Sequence, residues 1–176
     1  MAPGAVQALL RVEEYARGAG LESSMLELVR LRASQINGCA YCVDMHTQDA
    51  RAQGETEQRL YAVSVWPDTP FFTERERTAL AWTEAVTSVS WEHVPDAIYQ
   101  TARQHFSEKE LVDLTMAVIA INGWNRLSIA FRREAGTYYA GAQRKNPEAK
   151  HGPKSASASC GGRREQQLVN SHSGTF

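Results

Sequence analysis

The chain has 176 residues, of which 43% are hydrophobic and 22% charged, with a formal net charge of −1. That length supports one core and little more. The near-zero charge gives no electrostatic case for nucleic acid or an anionic membrane surface, and no apolar run approaches a membrane span.

The periodicity is helical almost throughout, and no stretch shows convincing strand alternation. A first helix is predicted from about Ala5 to Arg17, ended by Gly18 and Gly20. A second begins near Glu22 to Ser24, with Leu28, Val29, Leu31 and Ile36 on a broad apolar face. Asn37-Gly38 punctuates the chain just before Cys39. The next helix runs from Ala40 to Gln53, with Gly54 as a suitable residue just past its end. A short segment from Glu57 to Val65 follows. Trp66-Pro67-Asp68-Thr69-Pro70 reads as a loop, because both prolines lack donors and push their predecessors toward extended backbone.

Thr73-x-x-Glu76 is a capping box ahead of a helix reaching about Ser88. Pro95 suits the start of another, ending near Phe106. Ser107-x-x-Glu110 is a second capping box. It opens an apolar helix, Leu111 to Ile121, that continues past Asn122-Gly123 to about Arg133. The expected fold is therefore an all-α bundle of about six to seven helices over residues 1–140. Residues 141–176 have almost no large apolar side chains and are expected to form a disordered polar tail. Gln35-Ile36-Asn37-Gly38 is echoed by Ala120-Ile121-Asn122-Gly123, which reads as an old helix-pair duplication or as two similar junctions. Arg75, Glu76, Arg77 and Glu84 read as a solvated charged face. Trp82, Trp91 and Trp124 read as core or subunit-contact aromatics. Asn122, Trp124, Asn125 and Arg126 read as helix-junction bonding groups. Met1 to Leu10 lacks the pattern of a signal peptide, so a cytoplasmic address is expected.

The chemistry concentrates in one array: Glu27, Cys39, Cys42 and His46, spaced Glu-x11-Cys-x2-Cys-x3-His. Cys160, the remaining cysteine, reads as a bystander in the tail. Two cysteines three apart can form and break a disulfide with little backbone movement. In a reducing compartment such a pair is more often catalytic or metal-binding than structural. Cys39 falls where a helix starts, which favours an anion. His46 lies one turn beyond Cys42, within reach as a base. Glu27, from the preceding helix, is placed to hold His46, although Ser24-x-x-Glu27 also fits a capping box. Attack on a peroxide would turn Cys42 into a sulfenic acid, which Cys39 would convert to a disulfide. Zinc is the rival reading, with Cys39, Cys42 and His46 as ligands and Glu27 or Asp49 as the fourth. It ranks lower because no second ligand pair follows and the array lies in helix.

These residues resemble the AhpD-like alkylhydroperoxidase branch of the carboxymuconolactone decarboxylase family. The likeness runs through Glu27-Leu28-Val29-Arg30 and Ser34-Gln35-Ile36-Asn37-Gly38-Cys39-Ala40-Tyr41-Cys42-Val43-Asp44-Met45-His46. It continues in Glu76 to Ala85 and in Ala120 to Arg126, and spans roughly Leu21 to Phe131. It implies an AhpD-like helical domain with the cysteines at the start of a central helix, assembled as a trimer or hexamer. It implies a peroxidase that reduces hydrogen peroxide or organic hydroperoxides with no cofactor and no metal. Cys42 would attack, Cys39 would resolve, and Glu27 with His46 would relay the proton. A thioredoxin-like or lipoyl-bearing protein would supply the electrons. Some family members carry a second histidine between the cysteines, where this chain has Tyr41. Three other readings stay open: a general dithiol-disulfide oxidoreductase, a lactone-acting decarboxylase-like enzyme, and a zinc-stabilised non-enzymatic protein.

Overall fold

The computed structural model describes residues 2–141. Among them are eight α-helices and no strand: α1 (Pro3–Gly18), α2 (Ser23–Asn37), α3 (Ala40–Ala52), α4 (Glu57–Ala62), α5 (Glu74–Thr87), α6 (Val89–Glu92), α7 (Asp96–His105) and α8 (Glu108–Ala130). The all-α expectation holds, with the single turn α6 as an addition that no apolar periodicity announced. The expected polar tail and Cys160 lie outside the described residues.

The second helix is the axis of the bundle. It packs against α3, α5 and α8, while α1 lies along α8. Its residues Met25 to Leu31 are all buried, so it is a core helix rather than an amphipathic surface one. Leu28 and Leu31 pack with Leu60, Val63, Trp66 and Leu80. Met25, Leu26 and Val29 pack with Leu114, Ala117 and Val118 on the other side. A third cluster, Ala33, Cys39, Tyr41, Cys42 and Ile121, surrounds the cysteine pair, with Met45, Trp124 and Tyr138 against it.

Both capping boxes form. Thr73 and Ser107 each accept from the backbone N–H three residues on, and Glu76 and Glu110 each accept in return from the cap residue. The eighth helix runs unbroken through Asn122-Gly123, and the Asn122 amide donates back to Val118 O at 2.9 Å. The two echoed motifs thus play different parts, one ending a helix and one lying inside another, yet their asparagines meet. Asn37 Nδ2 donates to Asn122 Oδ1 at 3.0 Å and to Asn125 Oδ1 at 2.9 Å. Asn125 in turn donates to Ser34 Oγ at 3.0 Å, so α8 is pinned to α2 as a helix-junction reading requires.

Two expectations are corrected. The Trp66 to Pro70 loop is in part a 3-10 helix, Val63–Asp68. Arg77 donates to the carbonyls of Trp66, Pro67 and Thr69 and lies 5.3 Å over the Trp66 ring, which holds the turn despite Pro67. The charges of α5 are not a solvated face. Arg75 bridges Glu22 at 3.0 Å and Glu110 at 2.6 Å and covers the Phe106 ring, Glu76 holds Arg59, and Glu84 holds Arg32 at 2.7 Å and Trp66 Nε1 at 2.8 Å. Among the tryptophans read as core or subunit-contact aromatics, Trp82 is core, Trp124 is half-buried and Trp91 is exposed.

Candidate active site

The site is built by the junction of α2 and α3. Gly38 adopts a left-handed conformation (φ 68°), which glycine takes without steric cost. Its N–H bonds Gln35 O at 3.2 Å, and the Cys39 N–H bonds Ser34 O at 3.0 Å, the paired closure of a Schellman motif. The residue that closes α2 therefore also opens α3. Cys39 is the N-cap of α3, and its Sγ accepts from the Cys42 N–H at 3.3 Å. No disulfide joins the two, and each is only 1% exposed.

Four residues on, one helical turn, His46 is buried behind Cys42. Its Nδ1 lies 2.8 Å from Glu27 Oε2. The carboxylate accepts the Nδ1 proton in the neutral ring, which leaves Nε2 as the basic nitrogen. That Nε2 has no hydrogen-bond partner among the described residues. Glu27 Oε1 takes Arg30 Nη1 at 2.7 Å, and Arg30 Nη2 pairs with Glu13 Oε1 at 2.9 Å. Arg17 closes the chain on Glu13, also at 2.9 Å. Burial opposes ionisation of Glu27. The His46 hydrogen bond and the Arg30 and Arg17 charges, with that of His46 when its ring is protonated, outweigh it and hold the carboxyl below its ordinary range.

The Glu27 side chain caps nothing. The residue before α2 is Glu22, and no side chain caps that end. The structure thus brings Glu27, His46 and the two cysteines into one neighbourhood. Sequence reading missed Arg30, Glu13, Ser128 and the role of Asn125 at sulfur. The i, i+3 spacing of Glu27 and Arg30 was the one available signal. Burial pushes the Cys42 thiol up to about 11, and its contact with Cys39 adds to this; hydrogen bonds from Ser128 and Asn125 pull the other way.

Cys42 and His46 line a cavity of about 740 Å³, together with Tyr41, Met45, Trp124, Ser128, Arg133 and Tyr138. That is room for a small organic molecule. Among the described residues, the metal-type donors that gather are Glu27, His46 and Asp49, within 4.8 Å of one another, and not the cysteines. Both Glu27 oxygens are already bonded, to Arg30 and His46. A cation there would have to displace one of these contacts, and the Cys-Cys-His ligand set of the zinc reading does not assemble.

An all-α bundle with a buried Cys-x-x-Cys at a helix start, backed by a Glu–His pair, is an AhpD-like arrangement. The chain belongs to the carboxymuconolactone decarboxylase family, whose sequence profile matches residues 3–85. It is 39% identical over 137 residues to the uncharacterized protein YdfG of Bacillus subtilis, covering 78% of this chain and 93% of that one. A crystal structure of a protein of unknown function from Agrobacterium tumefaciens, named for AhpD-type antioxidant defence, aligns with TM-score 0.75. It has 43% identity over 78% of this chain and 94% of that chain. The debrominase Bmp8 aligns with TM-score 0.70 over 77% of this chain and 73% of that one. At 18% identity this likeness shows the fold alone. No described helix is long and apolar enough to cross a membrane.

Proposed function

We propose that this chain is a thiol-dependent peroxidase that reduces hydroperoxides with Cys42 and Cys39. One observation carries the reading: Cys42 and His46 face a common cavity, and His46 is held by a buried carboxylate at 2.8 Å. With its pKa near 11, Cys42 is almost wholly protonated at neutrality. A base acting as the peroxide reacts is therefore required, and the basic Nε2 of His46 meets that need. His46 takes the thiol proton while sulfur attacks the distal peroxide oxygen. The O–O bond breaks, Cys42 becomes a sulfenic acid, and the leaving alkoxide takes the proton back from His46 to depart as the alcohol. The Cys39 thiol then displaces water from the sulfenic sulfur and forms the disulfide. An external dithiol then restores both thiols, supplying two electrons and leaving as its own disulfide.

The near-complete burial of both sulfurs favours a small peroxide over a folded protein's disulfide, which weighs against a general dithiol-disulfide oxidoreductase. It also favours a slender lipoyl-type arm over a thioredoxin-like face as reductant. The reading further takes the working protein as a cytoplasmic homo-oligomer. The test is a pair of variants under single-turnover conditions. Cys42→Ser should consume no peroxide. Cys39→Ser should consume one equivalent and stop at a sulfenic acid that dimedone traps. Full peroxide consumption in Cys42→Ser refutes the reading; lactone turnover that survives loss of both cysteines would point instead to a decarboxylase-like enzyme.

A further inference from the structure

The cavity carries a second chemistry at its rim. The segment after α8, residues 131–141, folds back along α3. The Gly136 N–H donates to Asp44 Oδ2 at 2.9 Å, Gln48 Nε2 donates to Tyr138 O at 3.1 Å, and the Tyr138 hydroxyl donates to Asp49 Oδ1 at 2.6 Å. These bonds place the Arg133 guanidinium 3.8 Å from the centre of the Tyr41 ring. Of the other charges on the cavity wall, Glu13 and Arg17 cancel in an ion pair at 2.9 Å, and the Asp49 carboxylate accepts a hydrogen bond from the Tyr138 hydroxyl while keeping its charge. Arg133 has no carboxylate partner among the described residues and is exposed, while Tyr41 beneath it is buried. Stacking on a ring uses the face of a guanidinium and leaves its N–H edge free for two-point contact with a carboxylate. Beside Cys42, in contrast, the wall is Tyr41, Met45 and Trp124, an apolar surface.

We propose that the cavity selects hydroperoxides of carboxylic acids, apolar in the body and anionic at one end, with Arg133 as the residue that reads the anion. The hydroperoxide half rests on the peroxidase reading, and the anion half rests on the rim geometry alone. Tyr41 then has a positive use as the platform that orients Arg133.

The test uses the reduced full-length chain and two unreactive product analogues, cumyl alcohol and its para-carboxylate, with binding measured by calorimetry. The carboxylate should bind about fivefold tighter at low salt, the scale of one partly exposed ion pair. That preference should shrink as salt rises. Arg133→Gln should bring the ratio to about one, and Arg133→Lys should keep part of it. Equal affinities in the native chain, an unchanged ratio in Arg133→Gln, or no binding of either compound would overturn the anion half. If the carboxylate preference holds while cumene hydroperoxide leaves both thiols intact, the hydroperoxide half is overturned and the anion site stands.

Discussion

Replacing Glu27 with Gln removes one negative charge from a buried set and changes what faces His46 Nδ1. The side chains of Glu27 and Arg30 are 3% and 2% exposed, so the pair is fully removed from water. Breaking such a pair by removing one partner costs about 3–5 kcal/mol, because the other charge is left buried. Here Glu13 still holds Arg30 Nη2 at 2.9 Å, which places the loss at the low end, about 3 kcal/mol. For a chain of this size that is a fall in Tm of roughly 6–12 °C. The Gln amide can donate to Nδ1, which moves the imidazole proton to Nε2 and removes the base. Single-turnover peroxide consumption should then fall about 100-fold to 10,000-fold, the usual range for a general base. The two effects separate by pH. The Glu27 carboxyl is held below its ordinary value, so its stabilisation is present above the unfolded pKa and is lost as pH falls through the folded one. The Tm gap between native chain and variant should therefore narrow in acid. The reasoning fails if Glu27→Gln melts within about 2 °C of the native chain at pH 7 and reacts with peroxide at the native rate.

Three further outcomes follow from the same geometry. In a Cys39→Ser background, alkylation of Cys42 by iodoacetamide, followed on its own peptide, should rise about tenfold per pH unit from pH 7 to 10, because burial holds the thiol near 11. A plateau below pH 8 would contradict that environment. Ser128→Ala, in the same background, removes a hydrogen bond to the sulfur and should slow this alkylation about tenfold, the worth of one bond to a charged group. An unchanged rate would place Ser128 outside the site. Gly38→Ala should cost about 1 kcal/mol in urea unfolding and Gly38→Asn less, since the added Cβ meets open space and only the positive φ resists it. Equal losses in the two variants would show that backbone strain is not the cause.

The array of Glu27, Cys39, Cys42 and His46 was legible because it depends on spacing along two consecutive helices, and spacing is what a sequence records. The helix ends were legible at Thr73, Ser107 and Gly38 because capping is local chemistry. What was not legible depends on contacts between distant segments. Arg30 sits in a Leu-Val-Arg-Leu run that gives no sign of a fully buried guanidinium, because its partner Glu13 comes from another helix. Arg75, Glu76 and Glu84 follow a surface-like charge pattern, yet their partners lie on α2, α4, α8 and the turn before α2. Asn37 and Asn122 repeat the same dipeptide in two helices with no local reason to meet, and only packing of α2 on α8 joins them. Ser128 is an ordinary late-helix serine until the fold turns it toward Cys42.

The central claim is that Cys42 and Cys39 form one two-electron peroxide-reducing unit. Stopped-flow titration of the reduced chain with cumene hydroperoxide, followed by mass spectrometry of the peptide holding both cysteines, tests it most directly. The account predicts one equivalent of peroxide consumed per chain and a single intramolecular disulfide between Cys39 and Cys42. Two intact thiols after excess peroxide would contradict it.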